Sequence, residues 1–230
     1  MSKDLNLKII AHIKTDFKAK FGIPRQSGLV NTKGRIIFCE EYRNREALRG
    51  IEGYSHLWLL WQFSESIKDE WSPTVRPPRL GGNKRMGVFA TRSPFRPNPI
   101  GLSSVKLEAI IENTPEGTVL EVSGIDLLDG TPIYDIKPYI AYTDSHPDAI
   151  GGFSTDVFDN NLEVSFEPQT QNILPQDTLS TLTEILSQDP RPAYQNDQNR
   201  IYSFEYSHYK IKFCVKGKKL TVTEISDLRN

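Results

Sequence analysis

Cysteine is scarce in this chain: Cys39 and Cys214 are the only two in 230 residues. They lie far apart, match no metal-ligand spacing and supply no disulfide framework. A reduced, cytoplasmic setting is therefore expected, with both thiols serving as small core hydrophobes. Histidine is also rare, at four residues, and no two stand at a spacing that builds a zinc site, so no metal is expected. No apolar run is long enough to span a bilayer. The opening MSKDLNLKIIAHIK lacks the uninterrupted apolar segment and small-residue cleavage site of a secretory signal, so neither a membrane nor an export role is expected. The phosphate loop GxxxxGK[ST] is missing, as is a GxGxxG between strand and helix. The nearest glycine cluster, LGGNKRMG, has no Ser or Thr after it and no helix to aim at a phosphate. A doubly wound nucleotide enzyme is thereby disfavoured. Without a GxSxG elbow or a local Cys–His signature, nucleophilic hydrolysis has no support either.

One further absence is local. Between Trp71 and Lys106 there is no Asp or Glu, while Arg76, Arg79, Lys84, Arg85, Arg92, Arg96 and Lys106 are all basic. The rest of the chain then carries 21 basic against 29 acidic residues, so a cationic strip sits in an acidic background. Pro73, Pro77, Pro78, Pro94, Pro97 and Pro99 withhold backbone donors and rule out a continuous helix. A rigid, basic, non-helical stretch suits an anionic partner, nucleic acid first among them. The plain alternative is a solvated loop, and the interleaved Phe89 and Phe95 weigh against it.

Elsewhere the pattern is of strands. Leu5, Leu7 and Ile9 alternate with polar residues and predict an opening strand, and Arg35 to Tyr42 predicts a second. Asn44 is placed to cap a helical turn that Gly50 stops. GYSHLWLLWQF, at 53–63, is nearly all apolar and predicts a strand buried on both faces. Residues 103–128 read as a hairpin about the TPEG turn, followed by DGTPIYDIKPYI, where Asp135 and Lys137 share a face if extended. Leu162 to Phe166 reads as one further strand. Leu179, Leu182, Ile185 and Leu186 recur at helical spacing, with Asp177 as the expected N-cap. Strands follow at 202–208, 211–215 and 220–225. The expected fold is mainly β: a single-sheeted β-barrel over 1–168 with a small α+β C-terminal subdomain over 169–230.

The motifs PRQ (Pro24, Arg25, Gln26), GYSHLWLLW, RPPRLGGNKRMGVFATRSPFRPNPIGLS and DGTPIYDIKPY occur in this order. Together they strongly resemble the TsaA-like family and, more narrowly, the bacterial TrmO-type tRNA methyltransferases. LSQDPRPAYQ is similar to the C-terminal extension of the bacterial members. The resemblance implies methyl transfer from S-adenosyl-L-methionine to N6 of N6-threonylcarbamoyladenosine at position 37 of tRNA, in the anticodon loop. It also implies a homodimer with cofactor pockets near the subunit boundary. Carried onto this chain, it assigns to the cofactor pocket Pro24, Arg25, Gln26, Arg92, Leu102, Asp129, Gly130, Thr131 and Pro132. Relatives carry a His-Gln pair after the WLLWQF strand; Ser64 and Glu65 stand there in this chain, leaving a backbone contact.

Such a cofactor wants a cation for its carboxylate and an acid for its amine or hydroxyls. Arg25, Arg92 and Asp129 fit those roles. The receiving nitrogen belongs to a urea-like group and must shed its proton as the methyl arrives, and Asp135 is the candidate base, against an ion pair with Lys137. Arg76, Arg79, Lys84, Arg85, Arg96 and Lys137 are candidates for tRNA phosphates, helped by Lys216, Lys218 and Lys219, with Tyr139 and Tyr194 as stacking platforms. Two rival readings are an RNA-binding module without catalysis and a small-molecule methyltransferase with the same pocket.

Overall fold

The computed structural model describes residues 6–157, 161–191, 195 and 197–229. The strands are β1 (Ala11–Thr15), β2 (Lys33–Phe38), β3 (His56–Gln62), β4 (Thr74–Val75), β5 (Met86–Gly87), β6 (Ile100–Thr114), β7 (Gly117–Ser123), β8 (Pro132–Pro138), β9 (Glu163–Phe166), β10 (Tyr202–Tyr206), β11 (Tyr209–Lys216) and β12 (Lys219–Asp227). The α-helices are α1 (Ala141–Asp144) and α2 (Gln176–Ser187). Six strands close into a barrel in the order β1-β2-β7-β6-β3-β8, every neighbouring pair antiparallel. The seam is short: β1 and β8 pair only at Ala11–Ile133 and His12–Pro132.

Alternation builds the barrel wall. Ala11, Ile13 and Thr15 face the core while His12 and Lys14 face outward. The opening strand thus begins at Ala11, not in the Leu7–Ile9 stretch. Leu7 and Ile9 are exposed because the ladder to β2 and β8 starts only beyond them, and Leu5 lies outside the described residues. β2 stops at Phe38, before Tyr42, since Glu40–Tyr42 coil into a 3-10 turn. Asn44 does accept the Glu46 N–H at the head of the next turn. β3 is not buried on both faces: Leu57, Leu59 and Trp61 point into the core, and His56, Trp58, Leu60 and Gln62 stay half-buried. A barrel wall has one core face, so even an aromatic-rich strand here obeys the two-residue period. Bulges in the β6–β7 and β3–β8 ladders bend the sheet towards closure.

The second unit is a four-stranded sheet in the order β10-β11-β12-β9, backed by α2 through Leu182, Ile185 and Leu186. β9 runs parallel to β12, so this sheet draws on residues that precede 169. Asp177 is not the N-cap of α2. Pro175 holds that position without a side-chain bond, and Asp177 lies in the first turn, where its charge faces the helix dipole. Neither cysteine is fully buried; Cys39 and Cys214 are half-exposed free thiols.

The two units share one core. The long loop between β1 and β2 carries Phe17 and Phe21 against Tyr206 (5.3 Å), Phe204 (6.1 Å) and Phe213 (6.5 Å). Gly22 makes this approach possible: its φ is +98°, and a Cβ there would lie 2.4 Å from the Phe204 ring. Backbone bonds reinforce it, with Ser207 N donating to Asp16 O at 2.9 Å and Asn31 N to the Glu184 carboxylate at 3.0 Å. No helix among the described residues is long and apolar enough to cross a membrane.

Candidate active site

Antiparallel order puts the end of β1, the start of β2, the end of β3, the start of β6 and the start of β8 at the same end of the barrel. Segments far apart in sequence meet there: Pro24–Gln26 in the β1–β2 loop, Ser64 and Glu65 after β3, Arg92 and Leu102 around the start of β6, and 129–132 leading into β8. The predicted cofactor residues therefore share one end of the fold, but their side chains are not equally available.

Arg25 is engaged by the second unit. Its Nη2 donates to the carbonyls of Asp189 and Arg191, each at 2.8 Å. Gln26 donates to the Arg25 carbonyl and accepts from Arg92 Nη1. Arg92 is exposed and makes no ion pair with a described carboxylate, which leaves it the freer cation of the two. Asp129 fastens the turn to β1: its carboxylate accepts the Thr15 N–H at 2.9 Å and the Lys18 ammonium at 2.7 Å. Thr131 is buried and its hydroxyl donates to Leu128 O, while the N–H groups of Asp129, Gly130 and Thr131 donate to Phe17 O, Ile13 O and Leu128 O, so the donors of this turn are spent on holding it to β1 and to itself. Lys20 donates to the Glu65 carbonyl at 2.6 Å and so occupies the backbone of the departed His-Gln position.

The residue that sequence reading missed is Asp126. Ile125 and Leu127 on either side are wholly buried, and Asp126 between them is turned onto the buried Ser103 of β6. It accepts a 2.6 Å bond from Ser103 Oγ, which itself accepts from Trp61 Nε1 at 2.9 Å. Burial pushes its pKa up to about 6, partly offset by bonds from Ser103, its own backbone and Ser27, and by the Arg92 charge. The available signal was an acid inside the apolar run GIDLL, a placement that demands buried partners. Ser27 joins the same group, its hydroxyl accepting the Ser104 N–H at 3.2 Å.

Asp135 lies on the outer wall, in a row with Leu60 of β3 and Leu102 of β6. Leu102 is 55% exposed, so this row is an apolar shelf ending in a carboxylate. Asp135 pairs with Lys137 at 3.0 Å. Further along the same ladder, Lys137 stands opposite Trp58, whose ring lies 5.5 Å from Tyr139 and whose Nε1 donates to Asp144. Tyr194 lies outside the described residues.

The basic strip forms a β4–β5 hairpin followed by turns. Arg76, Lys84 and Arg85 are exposed, and Arg85 donates to the Thr74 hydroxyl at 3.2 Å. Arg96 differs from its expected role: its Nη1 donates to the carbonyls of Thr91 and Ser93, which turns it inward to brace its own loop. Nothing is described of the Arg79 side chain. Trp71, Phe89 and Phe95 are exposed beside these cations, with Trp71 and Phe89 stacked at 6.2 Å. Lys216, Lys218 and Lys219 are exposed at the β11–β12 turn.

Comparison with known proteins extends this geometry to relatives. Residues 12–145 match the family model of the tRNA-methyltransferase O N-terminal domain, and residues 159–228 match that of the TrmO C-terminal domain. An Escherichia coli protein named tRNA (adenine(37)-N6)-methyltransferase is 44% identical over 197 residues, covering 82% of this chain and 83% of its own. An archaeal protein from Methanothermobacter thermautotrophicus, named "Probable S-adenosyl-L-methionine-binding protein", is 32% identical over 142 residues, covering 62% of this chain and 95% of its own. A crystal structure of TrmO from Pseudomonas aeruginosa superposes with a TM-score of 0.78 at 30% identity, covering 99% of both chains. With both domain models matched in order and the barrel closed as in that structure, the chain belongs to the tRNA-methyltransferase O family.

Proposed function

We propose that this chain is an S-adenosyl-L-methionine-dependent tRNA (adenine(37)-N6)-methyltransferase acting on N6-threonylcarbamoyladenosine in the anticodon loop. The observation that carries the reading is the convergence of Gln26, Arg92, Leu102 and the 129–132 turn at one barrel end, where Arg92 and Leu102 belong to the same chain segment as the exposed cations Arg76, Lys84 and Arg85. The residues fit the cofactor: Arg92 is an exposed cation for a carboxylate, Leu102 an apolar wall, and Gly130 an open position with no side chain in the way. When bound, the cofactor supplies an electrophilic methyl on a sulfonium. In this reading Asp135 takes the N6 proton, with Lys137, its ion-pair partner, orienting the carboxylate. Trp58 and Tyr139 offer a stacking surface for an unpaired base. The enzyme works in the cytoplasm, as a homodimer with its pockets near the subunit boundary.

The test is mass spectrometry of tRNA nucleosides from cells with and without the gene. The methylated form of threonylcarbamoyladenosine is expected to vanish with the gene; its persistence would sink the reading. The RNA-binding alternative is separated by calorimetry, since a module without catalysis gives no heat with S-adenosyl-L-methionine. With purified protein, Arg92→Ala is expected to raise the KM for the cofactor and leave that for tRNA. Asp135→Asn should lower kcat with cofactor saturating, and normal turnover would remove it as the base.

The strip yields a separate expectation. Arg85→Ala and Lys84→Ala should each raise the KM for tRNA. Each should also flatten the salt dependence of binding by about 0.7–0.9 in the log–log slope for every phosphate left unneutralised. An unchanged slope would assign the tRNA phosphates to other cations, with Lys216, Lys218 and Lys219 the next to neutralise.

A further inference from the structure

Arg25 belongs to the barrel, yet its guanidinium is held by the other unit. Nη2 bridges two carbonyls, those of Asp189 and Arg191, at 2.8 Å each. Those carbonyls point together because the turn that bears them is tightly set. Asp189 adopts φ +47°, in the left-handed region that Asp tolerates better than most residues. Its carboxylate accepts three bonds from Arg191, at 3.2 Å from the backbone N–H, 2.8 Å from Nε and 2.9 Å from Nη2. The Arg191 side chain is only 10% exposed and lies over the Tyr202 ring at 5.8 Å. This is a rigid, nearly buried clasp made wholly within the second unit.

From Arg25 the contacts run on into the site. Gln26 donates to the Arg25 carbonyl and accepts from Arg92. Ser27, next in line, accepts from Ser104 on β6, and Gly28 N donates to Gly124 O at 2.9 Å. We infer that the Asp189–Arg191 turn of the C-terminal unit is a positioning device for the cofactor end of the barrel, acting through Arg25 on Gln26 and Arg92. The inference rests on the reading of that end as the cofactor site. Its physical content is preorganisation: a loop held from behind loses less freedom when a ligand arrives. The second unit then contributes to catalysis without touching the reacting atoms.

The test uses the full chain. Asp189→Ala removes the acceptor of all three Arg191 bonds and leaves every barrel residue in place. It is expected to raise the cofactor Kd, read by calorimetry, about five- to tenfold. The value of kcat at saturating cofactor should stay within about twofold, and amide exchange should quicken in the peptide covering 22–28. Asp189→Asn keeps one acceptor and the left-handed preference, and should restore most of the affinity. In an Arg25→Ala background, Asp189→Ala should add nothing further, because the two act through one contact. A destabilised second unit alone would lower the melting temperature in both backgrounds without this loss of additivity.

Unchanged cofactor affinity in Asp189→Ala would overturn the inference, as would full additivity with Arg25→Ala. The underlying site is judged separately by Arg92→Ala. If that variant also bound the cofactor normally, the site reading would fail; if it bound weakly while Asp189→Ala did not, only the clasp would fail.

Discussion

Gly101→Ala is expected to lower stability by about 3 kcal/mol through overpacking. For a chain of this size that is a fall of roughly 6–12 °C in melting temperature. Gly101 stands directly across the β3–β6 ladder from Trp61. A methyl there would lie 2.2–2.6 Å from the indole Cε2, Cζ2 and Cδ2, well inside contact distance. The ring has nowhere to go, because Trp61 is 7% exposed and its other flank meets Phe63 at 4.3 Å. Moving the indole also breaks its bond to Ser103, and with it the support of Asp126. The effect should therefore appear in two measurements, a lower melting temperature and weaker cofactor binding. A variant melting within about 2 °C of the parent would show that the ring has room to move, and the proposed coupling of β6 to Asp126 would be lost.

Asp126→Asn should separate stability from binding. The native state holds the Asp126 proton up to a pH of about 6, against 3.8 for an unperturbed aspartate, and burial is the main cause. The sign follows from linkage. The stabilisation associated with the protonated form is complete below the unfolded value and is lost as pH rises through 6. At pH 8 the parent therefore carries the cost of a desolvated carboxylate, about 3 kcal/mol for a shift of this size. Asparagine removes the charge and keeps an oxygen for Ser103, so the variant should be the more stable protein at pH 8 by about 1–3 kcal/mol. The gap should close by pH 4. Binding should move the other way, since the Arg92 charge and the ionised form of Asp126 favour one another. Cofactor affinity in the parent is expected to fall as pH drops through 6, and in the variant to be weaker and flat. If Asp126→Asn were less stable at pH 8, or the gap did not close in acid, the buried-charge account would be wrong. A residue that costs stability and supports a site is the usual mark of function in a fold.

Local features were readable from the residues alone. Alternation of Ile13 with His12 and Lys14, or of Phe204 with Ser203 and Glu205, reports the two-residue period of a strand whatever lies opposite. Turn chemistry at 114–117, the helical spacing of Leu182, Ile185 and Leu186, and the acid-free run at 71–106 are likewise readable without neighbours. Those signals, with the long motifs, sufficed for the barrel and the family. Partnership needed the folded molecule. Arg25 and Arg92 are the same residue type in equally suggestive motifs, yet one is held by carbonyls 164 and 166 residues away and the other is exposed and donates to Gln26. Asp126 looked like one acid among 29 until the ring closed and buried it beside Ser103. Arg96 sat in the cationic run and turned inward to its own loop. Strand β9 lay among polar residues and found its place beside β12 rather than in the barrel. The physical reason is common to all four. A side chain's charge and a strand's pattern belong to the sequence, but whether that charge is paired, buried or free depends on which distant backbone closes over it.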